Sequence, residues 1–133
     1  MLLDSSFLIA LMRESIAGTD GPASRKLDQL GETGISMPLF VLCELEASAL
    51  SSRRPDEQQK RIERLTELLP VEYPREGFAD TYARIENDLR RSGTPIPVMD
   101  LLIAALAVCL DEPLLTSDVE HFSRVRGLSV ESF

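Results

Sequence analysis

The stretch Pro97-Val98-Met99-Asp100-Leu101-Leu102-Ile103-Ala104-Ala105-Leu106-Ala107-Val108 decides the architecture. From Leu101 to Leu110 no residue carries a charge, so a helix here is apolar around its whole circumference and belongs in a core. Asp100 is the exception. In the first helical turn a carboxylate can accept hydrogen bonds from free N–H groups and meets the positive end of the helix dipole. It is either a helix cap or a carboxylate held rigidly at the mouth of a buried scaffold. The choice turns on whether other acids converge on it.

Working outward, short apolar runs alternate with helical patterns. Met1 to Asp4 reads as a strand ending in Asp4-Ser5-Ser6, three residues that favour helix N-caps, and a helix follows to about Glu14. A second helix runs to about Leu30, with Asp20 as its cap and Pro22 near its first position. Ile35-Ser36-Met37 is a strand delivering the chain through Pro38 into a helix from about Leu39 to Leu50. Pro55 opens a helix with Ile62, Leu65, Leu68 and Leu69 at helical spacing, and Val71-Glu72-Tyr73 is a third strand. Glu76 to Arg91 is amphipathic, with Phe78, Ala79, Tyr82, Ile85 and Leu89 on one side and Ser92-Gly93 as its end. After the buried helix come a strand over Pro113–Thr116, the turn Ser117-Asp118-Val119-Glu120, a helical piece from His121 to Val125, and a strand near Leu128 to Val130. Strands alternating with helices of this length predict parallel βαβ units, hence an α/β protein: a three-layer α/β/α sandwich with a mostly parallel central sheet.

The 133 residues suit one domain, residues 1–133, burying roughly two-thirds of its unfolded surface without a disulfide or structural metal. Cys43 and Cys109 lack metal-ligand spacing and read as small core residues of a reducing compartment. Leu2 to Leu11 is too short to span a bilayer, is interrupted by Asp4 and has no basic flank, so neither a signal peptide nor an anchor is expected and the cytoplasm is. The formal charge of −8 argues against nucleic-acid binding by bulk electrostatics; a local patch, a bound cation or another subunit would have to supply positive potential. The cluster Arg53, Arg54, Lys60, Arg61 and Arg64 is read first as a solvated face, and second as a track for an RNA backbone.

Open parallel sheets place their sites in the crevice at the C-terminal strand edge. Asp4 ends the first strand there, Asp118 follows Leu114-Leu115-Thr116 at the same edge, and Asp100 begins the helix leading into that strand. Three carboxylates in one crevice repel one another unless a cation compensates. Oxygen ligands with no His or Cys nearby favour Mg²⁺ or Mn²⁺ over Zn²⁺. The helix after the second strand adds Glu44 and Glu46, which point roughly 200° apart at about 100° per residue; helical geometry admits one of them and does not choose. Thr116 and Ser6 are hydroxyls placed to orient carboxylates. His121 reads as a loop-fixing residue rather than a general base.

These residues carry a resemblance. Leu3-Asp4-Ser5-Ser6, Cys43-Glu44-Leu45, Asp100-Leu101-Leu102-Ile103-Ala104-Ala105 and Leu115-Thr116-Ser117-Asp118 with His121-Phe122 make the chain similar, over nearly its whole length, to PIN-domain ribonucleases, and most to the VapC-type toxins of bacterial toxin–antitoxin pairs. The resemblance implies a metal-dependent endoribonuclease with Asp4, Glu44, Asp100 and Asp118 holding Mg²⁺ or Mn²⁺ and cleaving RNA phosphodiester bonds, and it chooses Glu44 over Glu46. It also implies an RNA substrate such as tRNA or another structured RNA, a cognate antitoxin protein and a homodimer. Ser6 stands where the family often has Asn, and Ser48 where Gly is common. Two other readings compete: a catalytically silent interaction module of the same fold, and a receiver-type phosphoacceptor domain. The second needs a lysine beside the acids, and only Lys26 and Lys60 exist.

Overall fold

Each strand is only two residues long. The computed structural model describes residues 1–133, in the order β1 (Leu2–Leu3), α1 (Ser5–Ala17), α2 (Pro22–Leu30), β2 (Met37–Pro38), α3 (Leu39–Leu50), α4 (Pro55–Leu68), β3 (Val71–Glu72), α5 (Phe78–Arg91), α6 (Val98–Leu110), β4 (Leu114–Leu115), α7 (Val119–Phe122) and β5 (Val130–Glu131). Leu2, Leu3, Leu114 and Leu115 are fully buried, as expected of parallel strands covered on both faces, whose sequence is continuously apolar rather than alternating. β1 bonds to neighbours on both sides: Leu2 N–H donates to Pro113 O (2.8 Å) and Asp4 N–H to Leu115 O (3.0 Å), while Leu3 N–H donates to Ser36 O (2.9 Å). A parallel bridge between Leu2 and Ser36 joins the three-stranded β1-β4-β5 and the two-stranded β2-β3 into the order β3-β2-β1-β4-β5, all parallel.

The chain steps from β1 outward to β2 and β3, then returns to the other side of β1 for β4 and β5. Right-handed crossovers therefore put the helices of the two halves on opposite faces, which gives the predicted α/β/α layering. Packing agrees: α1 lies against α2 and α3, α3 against α4, α5 against α6, and α6 against α7. The connections reverse direction between β1 and β4, and the crevice for a site opens at the C-terminal ends of those two strands.

Several expectations shift. α1 continues past Glu14 to Ala17 and ends at Gly18 in the left-handed region (φ 65°). Asp20 does not cap α2; Gly21 is the N-cap, and Glu14 reaches across from α1 to accept from Ala23 N–H (3.0 Å) and Ser24 N–H (2.7 Å). Cys43 is exposed and Cys109 only half-buried, since α3 buries Val41, Leu45 and Ala49 at a spacing of four and Cys43 falls on the other side. In α6, Leu101 and Ile103 to Ala107 are buried, whereas Leu102 and Val108 to Leu110 are half-buried. That helix sits in an outer layer, not at the centre of the molecule. α7 begins at Val119, and the last strand is Val130–Glu131. No helix is long and apolar enough to cross a membrane.

Candidate metal centre

Four carboxylates reach the β1/β4 crevice, each from a different element. Asp4 follows β1 directly and is almost completely buried. It is the N-cap residue of α1 yet makes no side-chain cap bond, because its Oδ2 accepts instead from Thr116 Oγ1 (2.7 Å) and Ser6 Oγ (2.9 Å). Asp118 follows β4 and does cap: its Oδ1 accepts from His121 N–H at 3.2 Å. Asp100 lies in the first turn of α6, whose N-cap is Pro97 with no side-chain cap bond. The capping reading of Asp100 is therefore not realised. Its Oδ2 points to His121 Nδ1 at 3.0 Å.

Glu44 comes from the second turn of α3. Glu44 lies close enough to Asp4 and Asp100 for both charges to act on it, while Glu46 projects roughly 200° further round the helix. Glu44 Oε2 is buried and has no hydrogen-bond partner. Burial pushes the Glu44 carboxyl above its ordinary range, with repulsion from Asp4 and Asp100 adding to it; the Ser5 side chain offsets only part. Asp100 is raised for the same leading reason, burial, with Asp4 and Asp118 adding repulsion and His121 opposing it.

His121 enters the cluster in a way the residue pattern did not disclose. Its Nδ1 lies 2.8 Å from Asp118 Oδ2 as well as 3.0 Å from Asp100 Oδ2, and one Nδ1–H donated between them ties the two acids together. The donor atoms of Asp100, Asp118 and His121 all fall within 4.8 Å of one another. The premise of an acid crevice with no histidine nearby is thus corrected, while the loop-fixing role holds, since His121 also donates its backbone N–H to Asp118. A signal existed: Asp118 stands three residues before His121, a spacing that brings the two together once the helix starts at Val119. Neither lysine joins the acids. Lys26 is held by Glu131 at 3.1 Å, Lys60 is exposed on α4, and the phosphoacceptor reading lacks its lysine. Arg61 and Arg64 line a hollow with Leu11, Met12, Leu65 and Leu68, apart from the carboxylates.

The donor set fits a hard divalent cation. Carboxylate oxygens predominate, two of the acids hold protons more tightly than usual because they are buried and face other carboxylates, and the unpartnered Glu44 Oε2 is a buried acceptor that a cation would satisfy.

Comparison with known proteins bears on the chain as a whole. A family model described as PIN domain matches residues 1–128. Ribonuclease VapC1 of Haemophilus influenzae strain R2866 is 32% identical over 127 residues, covering 96% of this chain and 92% of the relative. Ribonuclease VapC1 of Rickettsia felis is 33% identical over 139 residues, 98% of this chain and 93% of the relative. The structure of VapBC-1 from nontypeable Haemophilus influenzae matches with a TM-score of 0.85 at 30% identity, covering 98% of this chain and 96% of that one. VapBC2 from Rickettsia felis, solved bound to a promoter DNA fragment, shares the fold with a TM-score of 0.87 at 21% identity over 99% and 97% of the two chains.

Proposed function

Because the chain belongs to the PIN-domain family, we propose that it is a toxin-type endoribonuclease that hydrolyses RNA phosphodiester bonds with Mg²⁺ or Mn²⁺ held by Asp4, Glu44, Asp100 and Asp118. The observation that carries this reading is the convergence of four carboxylates from four elements on the β1/β4 switch point, with Glu44 Oε2 buried and unpartnered. When bound, the cation lowers the pKa of a water, polarises the scissile phosphate and neutralises charge in the in-line transition state. The chain's own residues do the rest. α6 holds Asp100 on a packed apolar body, so the carboxylate need not reorganise during the reaction. His121 keeps Asp118 and Asp100 side by side through its Nδ1–H. Burial pushes the Glu44 carboxyl upward, and a cation beside it would favour its ionised form, which couples the site's charge to its occupancy. A net charge of −8 repels RNA, so the neutralised crevice is where a phosphate can approach.

The relatives named VapC and the VapBC complexes support an antitoxin partner, pairing of two copies of the chain and action on RNA in the cytoplasm. The experiment is cleavage of total RNA by the purified chain with mapped ends, with Mn²⁺ and with chelator, alongside Asp100→Asn. Cleavage that needs the cation and disappears in a folded Asp100→Asn variant is the expected outcome. Full activity in that variant, or activity undiminished by chelator, sinks the reading.

A further inference from the structure

Asp4 ends β1 and the Ser117–Asp118 turn follows β4; two hydroxyls connect these ends. Thr116 Oγ1 donates to Asp4 Oδ2 at 2.7 Å and accepts from Asp118 N–H at 3.0 Å. Ser6 Oγ donates to the same Oδ2 at 2.9 Å and accepts from Ser117 N–H at 3.0 Å. A hydroxyl has one proton. Both protons are committed to Asp4, so the 3.3 Å approach of Ser6 Oγ to Thr116 Oγ1 is a contact between two acceptors, and both chains run in one direction, from amide through hydroxyl to carboxylate. Two donors occupy the two lone pairs of Asp4 Oδ2, leaving Oδ1 as the carboxylate's free oxygen.

We infer that Ser6 and Thr116 are positioning residues that divide Asp4 into a held oxygen, Oδ2, and a single ligand oxygen, Oδ1, and that through the same hydroxyls they lock the Asp118 turn to it. The inference rests on the metal reading above and deepens it. Thr116 is fully buried and Asp4 nearly so, so water does not compete for the bond between them, which is stronger than it would be at the surface. A carboxylate allowed to rotate would present either oxygen and lose the fixed spacing to Asp118 and Asp100. Groups that orient a ligand in this way change metal affinity when removed, by about 10- to 100-fold. Hydroxyls that only stitched β1 to β4 would instead change stability and leave affinity alone.

The test is calorimetric titration of Mn²⁺ into the full chain without RNA, with melting temperature measured in parallel, for the unmodified chain, Thr116→Val, Thr116→Ser and Ser6→Ala. Thr116→Val and Ser6→Ala are each expected to weaken Mn²⁺ binding by about tenfold or more, and Thr116→Ser, which keeps the hydroxyl, to stay within about threefold of the unmodified chain. Variants that melt earlier yet bind Mn²⁺ unchanged overturn the inference and leave the metal reading standing. If Thr116→Val does not fold, Ser6→Ala decides, since Ser6 is only half-buried and its truncation leaves no core cavity. Failure of the unmodified chain to take up Mn²⁺ overturns the metal reading, and this inference with it.

Discussion

At the scale of the residue, Glu44 works against the fold that carries it. A half-buried carboxylate with an unpartnered oxygen destabilises the metal-free chain, and function near an active site commonly retains such a group at the expense of stability. Glu44→Gln is expected to stabilise the metal-free protein by about 1 kcal/mol, a rise of about 3 °C in melting temperature, while losing Mn²⁺ affinity; a lower melting temperature would contradict this account. The pH dependence follows from the same groups. Asp100 and Glu44 both sit above their ordinary values of 3.8 and 4.5, so the folded chain holds these protons more tightly than the unfolded one. Their penalty is full above the raised folded values, shrinks as pH falls through them and is gone below the unfolded values. Mn²⁺ needs both groups deprotonated, so its affinity falls over that same window as these two metal-free penalties are relieved. Titrations from neutral pH down to the ordinary values of 4.5 and 3.8 check it, and a flat affinity would show that these two acids are not ligands.

At the scale of the element, α6 is the mount of the site, and its apolar body explains why a charge at its first turn can be placed so firmly. Ile103 to Ala107 pack without exposure, one turn beyond Asp100, in a helix that lies against α5. Ile103→Ala leaves a cavity that close-packed neighbours fill only partly, and is expected to cost about 2–5 kcal/mol, against about 0.5–1.5 for Ile103→Val. Urea midpoints with unchanged slope measure both; a loss below about 1 kcal/mol for the alanine would mean that this face of α6 is looser than the burial implies. α2 shows a second way of fixing an element. It starts at a glycine and lacks a cap of its own, and the Glu14 carboxylate supplies one from α1, drawn below its ordinary range chiefly by the Ser24 hydroxyl. A Cβ at Gly21 would run into that carboxylate.

At the scale of the whole molecule, the order of elements and the edge where the acids gather were legible because buried parallel strands, helix periods and strand-terminal Asp residues are local patterns. The sheet order was not, since strands as short as Leu2–Leu3 and Met37–Pro38 carry no pairing information, and it emerges only from long-range bonds such as Leu3 N–H to Ser36 O. The nearness of His121 to Asp100 was hidden for a related reason: that contact joins α7 to α6, elements whose approach no local pattern encodes. Glu44 is separable from Glu46 in the sequence only by resemblance, because helical geometry admits one of the two without choosing; in the fold Glu44 lies within reach of the Asp4 and Asp100 charges. The same global view yields a test of the site as a unit. A chain of net charge −8 repels itself, so any salt stabilises it slightly by screening, and stabilisation by a divalent ion is not in itself evidence of a site. A specific site adds RT ln(1 + [L]/Kd), about 2.7 kcal/mol at a hundredfold excess over Kd, and its onset follows Kd rather than ionic strength. Mn²⁺ added at constant ionic strength is therefore expected to raise the melting temperature of the unmodified chain by several degrees. Asp100→Asn and Glu44→Gln should each suppress most of that rise, although they leave the remaining surface charge and its screening intact. A Mn²⁺ response equal in all three proteins would assign the effect to the diffuse negative surface and leave the four acids without a metal.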